Sequence, residues 1–264
     1  MTGALHLALR AEATKLRSVR STTWTTIAVI GVTVGVTAFL AAVGSTNAND
    51  TGAHGDDDVV VNALRGIWLG QVAMVSFGAV AFTAEFATGT IKATFAAIPR
   101  RSVVLGAKAA LVAAVAFVVG SAASALSFAI AQPLLHEGGF VPPAYPIVSL
   151  TDASVFRAVF GTALFLMLLA LFALGVAAIV RHTVAAMTVV VAISLVPTVL
   201  MGFFSGRLRE VLQQLAPAAG LSVQITTDRY DTPPFGRWGG LGVTAAWALG
   251  ALLVAAWTIS RRDV

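Results

Sequence analysis

Histidines, lysines and carboxylates are the side chains with which this 264-residue chain could do proton, metal or phosphate chemistry. The histidines, His6, His54, His136 and His182, fall in four separate segments, and no H-E-x-x-H pair sets two of them one helical turn apart. That excludes the usual zinc-hydrolase arrangement. The lysines, Lys15, Lys92 and Lys108, follow Thr14, Ile91 and Ala107. Without a Gly-Lys pair there is no G-x-x-x-x-G-K-[ST] loop to cradle a nucleotide phosphate. No G-x-S-x-G elbow exists, and with 0 cysteines neither thiol catalysis nor thiolate metal ligation is open. The run Asp56, Asp57, Asp58 lacks the spaced ligands of a calcium loop and reads as a solvated acidic face. The chain is therefore expected not to be an enzyme: no catalytic residue, cofactor site or metal site is assigned.

The elements that carry these residues explain the scarcity of charge. Charged residues are 11% of the chain and hydrophobic ones 58%, with a mean hydropathy of +0.88. A soluble domain carries about 25% charged residues. A membrane helix needs roughly 20 mostly apolar residues, and six segments qualify: Trp24 to Val43, Leu64 to Ala84, Val103 to Ala131, Phe156 to Val180, Val184 to Phe204 and Trp238 to Ser260. Pro197 should kink the fifth. Only helices or closed barrels satisfy the backbone in lipid, so the fold class is an all-α polytopic membrane protein, read as one domain over residues 1–264.

Charge then orients the spans. Arg10, Lys15, Arg17, Arg20, Lys92, Arg100, Arg101, Lys108, Arg181, Arg261 and Arg262 fall on the side of the termini, which is most of the 17 Lys and Arg. The positive-inside rule puts both termini and the 85–102 loop in the cytoplasm. The basic balance, +5 with a pI of about 10.4, is thus spent at span ends and on anionic lipid rather than on nucleic acid. Residues 1–22, with Leu5, Leu9 and Leu16 among Arg10, Lys15, Arg17 and Arg20, suit an amphipathic helix lying in the membrane interface, the alternative being a basic tail that only sets topology. The outer loop 44–63 reads as small, polar and flexible. Within 205–237, RLREVLQQL reads as a short helix on the outer surface.

Ionisable groups inside a membrane usually mark ion or proton paths, and these spans carry almost none away from their ends. Gln71, Ser76, Ser121, Ser124 and Ser194 are the interior polar groups. Helix-packing hydrogen bonds explain them most cheaply; Gln71 and Ser76 are the candidates for a pathway. Gly31–Gly35 and Gly66–Gly70 fit G-x-x-x-G, a spacing common by chance in a chain with 24 glycines.

The segment EFATGTIKATFAAIPRRSVVLGAK, Glu85 to Lys108, is the most distinctive. Glu85 must sit at the end of the second span, because a charge at the bilayer centre costs about 2.5–3.5 kcal/mol. Gly89 permits a tight turn. Ile91, Phe95 and Ile98 recur at helical spacing, Pro99 ends the stretch, and Arg100–Arg101 open the third span. Two readings fit: a short helix parallel to the membrane that acts as a lever on two spans, or an ordinary basic loop that only obeys the positive-inside rule.

Several stretches resemble a known family. Glu12-Ala13-Thr14-Lys15-Leu16-Arg17-Ser18 is similar to an E-x-x-K-L-R-S leader. Glu85-Phe86-Ala87-Thr88-Gly89-Thr90-Ile91, with Pro99, Arg100, Arg101 and Lys108, resembles E-[YF]-x-x-G-T-[IL] … P-x-[RS] … K. Ile179 to Thr183 resembles a short turn between spans four and five, and Leu215 to Gly220 an L-x-P-x-x-A-G patch. These are features of the permease subunits of bacterial ATP-binding-cassette transporters of the type 2 exporter class, in particular short actinobacterial ones. The resemblance implies six helices, an interfacial leader (Glu12, Lys15, Leu16, Arg17) and a cytoplasmic coupling helix between spans two and three. It implies an ATPase-coupling interface at Glu85, Phe86, Gly89, Thr90, Ile91, Lys92, Phe95, Pro99, Arg100 and Arg101, with a second contact at Arg181 and His182. The implied partners are a cytoplasmic ATPase subunit, which would bind the ATP and Mg absent from this chain, a second permease, identical or related, and membrane lipids. The implied setting is a bacterial plasma membrane, and the cargo an amphipathic drug, peptide or lipid-like molecule. The alternative is a non-transporting membrane scaffold that binds a cytoplasmic partner through the 85–102 loop.

Overall fold

A computed structural model describes residues 20–51, 58–87, 89–90, 101–142, 145–227 and 235–261. The described residues are all helical apart from turns. In chain order the helices are α1 (Arg20–Thr51), α2 (Val59–Ala63), α3 (Ile67–Ala87), α4 (Arg101–Glu137), α5 (Ala153–Val180), α6 (Thr183–Leu200), α7 (Arg207–Leu215), a 3₁₀ helix (Pro217–Gln224) and α8 (Gly236–Arg261). Six of them, α1, α3, α4, α5, α6 and α8, are long and apolar enough to cross a membrane. In such surroundings each backbone amide must bond within its own segment, which favours long uninterrupted helices. The leader positions Glu12, Lys15, Leu16 and Arg17, and residues 91–100, which hold all but Thr90 of the coupling helix expected over Thr90 to Ile98, lie outside the described residues.

The bundle is built around α5. Its most apolar stretch is 67% buried, against 17% for α6 and 22% for α1, which lie at the periphery. Helices close on α5 through small residues, since lipid tails supply no hydrophobic drive and close van der Waals approach must replace it. A Cβ added at Gly78 of α3 would overlap the backbone of Ala170, and one at Gly175 of α5 would overlap Ala251 of α8. Gly66 and Gly70 prove to be a contact as well. A Cβ at either would strike Thr33 of α1, and the Gly66 N–H donates to Thr37 Oγ1 at 3.1 Å. Gly31 and Gly35 meet nothing, so the same sequence spacing is a packing contact at the turn into α3 and open surface in α1.

Two expectations are corrected. The flexible loop at 44–63 is largely helical, because α1 continues to Thr51 and α2 begins at Val59. Asp58 is not part of a solvated acidic face: it is 1% exposed and caps α2, accepting from the N–H of Val60 and Val61. It also accepts from the Thr226 N–H and hydroxyl at 2.6 and 2.8 Å and from the Thr227 N–H at 3.0 Å. A buried carboxylate is tolerated when donors surround it, and Asp58 thereby ties the start of α2 to the chain after the 3₁₀ helix. Span ends shift too. The third span runs on through Pro133 to Glu137, and the fifth stops at Leu200, one turn past Pro197.

The region between α6 and α8 forms a cap. The surface helix α7, Arg207–Leu215, buries no residue, as its amphipathic pattern predicts. The 3₁₀ helix after it does the opposite, burying Pro217, Gly220, Leu221, Val223 and Gln224 against α5 and α8. Thr244 donates to the Pro217 carbonyl at 2.8 Å, Gln224 to Thr162 Oγ1 at 3.1 Å, and Trp247 to the Leu215 carbonyl at 2.8 Å. We call this the cap end, and the opposite end, which carries Glu85, the loop end.

Candidate functional site

The loop end gathers side chains from four helix termini. α3 ends there at Ala87, α4 starts at Arg101, α5 ends at Val180 and α6 starts at Thr183. Lys108 Nζ donates to Glu85 Oε1 at 2.9 Å, with the two side chains 5% and 9% exposed. The geometry follows from helix direction. Side chains lean toward the N-terminus of their helix, so Glu85, near the end of α3, leans into the bundle. Lys108 lies two turns inside α4 and leans back toward that end, 4% exposed. Helix dipoles do not explain the pair, because a carboxylate late in one helix and an ammonium early in another are each at the unfavourable end. The opposite charge 2.9 Å away offsets part of that cost.

Phe86, the next residue, packs against Phe82 with ring centroids 5.5 Å apart and planes tilted by 39°, and the Arg181 guanidinium lies over it, 5.3 Å from the ring centroid. Arg181 reaches that place by an unusual backbone. It closes α5 in the left-handed region, φ 59° and ψ 20°, the only non-glycine among the described residues with positive φ. Its N–H bonds to the Ala177 carbonyl at 2.8 Å. A non-glycine residue there is costly without a reason, and the cation–π contact supplies one. His182 follows as the N-cap of α6, its Nδ1 accepting from the Ala185 N–H at 3.3 Å. One turn inward, the hydroxyls of Thr83 and Thr183 share a hydrogen bond of 2.7 Å, joining α3 to α6.

The sequence-predicted positions are thus distributed as follows. Glu85, Phe86, Arg181 and His182 belong to one cluster. The two contacts expected to be separate are joined through Phe86 and Arg181. Gly89 adopts φ +70° and is exposed, giving the expected turn, with its N–H bonded to the Phe86 carbonyl at 3.2 Å. Thr90 beside it is exposed, and Arg101 opens α4. Ile91, Lys92, Phe95, Pro99 and Arg100 lie outside the described residues. Of the two pathway candidates, half-buried Ser76 only back-bonds to the Val72 carbonyl at 2.9 Å. Gln71 is 2% exposed; its amide donates to the Trp68 carbonyl at 3.1 Å while its Oε1 is buried without a partner.

Sequence reasoning missed Lys108 as the partner of Glu85, although both stood in the same motif. The available signal was depth. A lysine two turns inside an apolar helix must find a carboxylate at its own level, and Glu85 is the carboxylate at the neighbouring helix end.

Among the described residues the fold is all-helical, and its six long apolar helices are those of a multi-pass membrane protein. No family model matches the chain, and no curated protein matches it.

Proposed function

We propose that this chain is the permease subunit of an ATP-binding-cassette exporter, one half of a pair that forms a path for an amphipathic substrate and is driven by a separate cytoplasmic ATPase. The observation that supports it best is the convergence at the loop end. The buried Glu85–Lys108 pair, the Phe86–Arg181 contact and the Thr83–Thr183 bond join the ends of four spanning helices, directly beside the exposed turn at Gly89 and Thr90. A push on that turn is passed to α3 and α4 through the ion pair and to α5 and α6 through Arg181 and the Thr83–Thr183 bond. That is the mechanical requirement of a coupling element. On this reading the loop end faces the cytoplasm of a bacterial cell, which the excess of Lys and Arg read on that side of the sequence supports. The chain carries no phosphate-binding loop, so nucleotide chemistry would reside in the partner.

The test is copurification followed by export. Tagged chain extracted in mild detergent should bring down a subunit with a phosphate-binding loop, and Glu85→Ala or Gly89→Ala should abolish export while leaving the chain in the membrane. Recovery of a partner without ATPase activity would favour a scaffold; recovery of none, with export unaffected by both variants, would end the proposal.

A further inference from the structure

The helix α7 does not lie across the cap end but runs down into it. Its start is level with the end of α6, where Arg209 lines a cleft with Met201, Gly202 and Phe204. Its far end is deeper. Val211, Leu212 and Leu215 share a groove with Ile193, Val196 and Pro197 of α6, and Ile193 stands about 10 Å in from Leu200, the last residue of that helix. The Pro217 carbonyl accepts from Thr244, about 12 Å into α8 from Gly236, and the Leu215 carbonyl from Trp247, about 16 Å in. The hydrocarbon layer of a bilayer has a half-thickness of about 15 Å, so the end of α7 stands among lipid tails.

The groove between α6, α7 and Trp247 has a volume of about 440 Å³, and every described residue that lines it is apolar. The indole N–H of Trp247 is the one polar side-chain group among them, and it is already bonded to Leu215. A polar ligand would give up its water here for no hydrogen bond in return, whereas a hydrocarbon chain gives up none. One face of α7 leads from the groove to the span ends. Arg207, Val211 and Leu215 follow one another at four-residue steps along that face. Val211 and Leu215 wall the groove while remaining 40% and 60% exposed. Arg207, exposed in the first turn, stands about 12 Å from Leu215 along the helix axis, and among the described residues it pairs with no carboxylate. A guanidinium at headgroup level over an apolar stripe suits a phosphate with a tail below it.

We propose that this groove binds one acyl chain of a phospholipid from the leaflet at the cap end, with the phosphate of that lipid on Arg207. The lipid then fills the gap beside Pro197 and holds α7 against α6 and α8. The site requires only the membrane setting, not the export reading above.

The delipidated full chain in dodecyl maltoside is titrated with phosphatidylglycerol brominated at mid-chain, which quenches tryptophan on contact. Two single-tryptophan variants report: one keeps Trp247, at the groove, and the other Trp257, 58% exposed near the far end of the same helix. Trp247 should be half-quenched at a lipid-to-detergent ratio about tenfold below that for Trp257, a difference of about 1.4 kcal/mol. Ala192→Phe, which fills the groove from its exposed rim, and Arg207→Ala should each remove that advantage. Diacylglycerol with the same brominated tails, lacking the phosphate, should not show it. Native mass spectrometry reads the site without removing a tryptophan: the unsubstituted chain should retain one phosphatidylglycerol, and Ala192→Phe should lose it at an unchanged thermal midpoint. Equal quenching of the two tryptophans, equal quenching of Trp247 by diacylglycerol and phosphatidylglycerol, or no lipid retained by the unsubstituted chain overturns the site. So does a dimer that shields Trp247 from both lipids and dissociates on Ala192→Phe, which would make the groove an interface between two copies of the chain.

Discussion

Glu85 and Lys108 meet because they lean toward each other from different depths, one from the end of α3 and one from two turns inside α4, and their 2.9 Å contact closes the loop end across the 88–100 connection. Removing one member of a buried pair strands the other charge at a cost of about 3–5 kcal/mol, whereas replacing both with apolar groups is often nearly neutral. Lys108→Met should therefore lower the thermal midpoint in detergent well below that of the double variant Glu85→Leu/Lys108→Met. A double variant as unstable as the single one would show that the pair is not the source of the loss.

The Arg181–Phe86 contact should appear as coupling energy. Arg181→Ala and Phe86→Ala should be non-additive by about 0.5–1 kcal/mol in a double-mutant cycle on thermal unfolding. Arg181→Gly separates the two roles of that position. It suits the left-handed backbone better than alanine does, so it should be more stable than Arg181→Ala while losing the same coupling to Phe86.

Asp58 predicts behaviour at the far end. Asp58→Ala leaves the amides of Thr226 and Thr227 without their acceptor, so hydrogen exchange should accelerate there while the amides of α5 keep their protection. Unchanged exchange at 226 and 227 would contradict the tie.

The two G-x-x-x-G pairs give a contrast within one motif. Gly66→Val and Gly70→Val should destabilise by about 1–3 kcal/mol through overpacking against Thr33, while Gly31→Val and Gly35→Val, facing open space, should be close to neutral. The four variants can be ranked by thermal unfolding in one detergent.

These contrasts also mark what a sequence discloses. The six spans were legible because lipid forces length and apolarity on any crossing helix, and α7 was legible because its two faces differ. What was not legible depended on partners far along the chain. Asp58 is buried because Thr226 and Thr227 come to it, 168 and 169 residues later. The 3₁₀ helix at Pro217–Gln224 reads as loop, yet it is core because α5 and α8 leave it space. Gly66 and Gly31 are indistinguishable by spacing and differ only in what stands opposite. At the loop end the residue types and the turn at Gly89 were readable, but the joining of Phe86 to Arg181 required the left-handed end of α5.

The central claim, that the loop end docks on an ATPase, is tested most directly by crosslinking, which the absence of native cysteine makes clean. Thr90→Cys at the exposed turn and Gln213→Cys at the cap end each place one thiol on the whole molecule. With a thiol-to-amine crosslinker in native membranes, Thr90→Cys should capture a subunit carrying a phosphate-binding loop, at a yield that changes when ATP is added, and Gln213→Cys should not. Capture of such a subunit from the cap end, or of none from Thr90, would contradict the account.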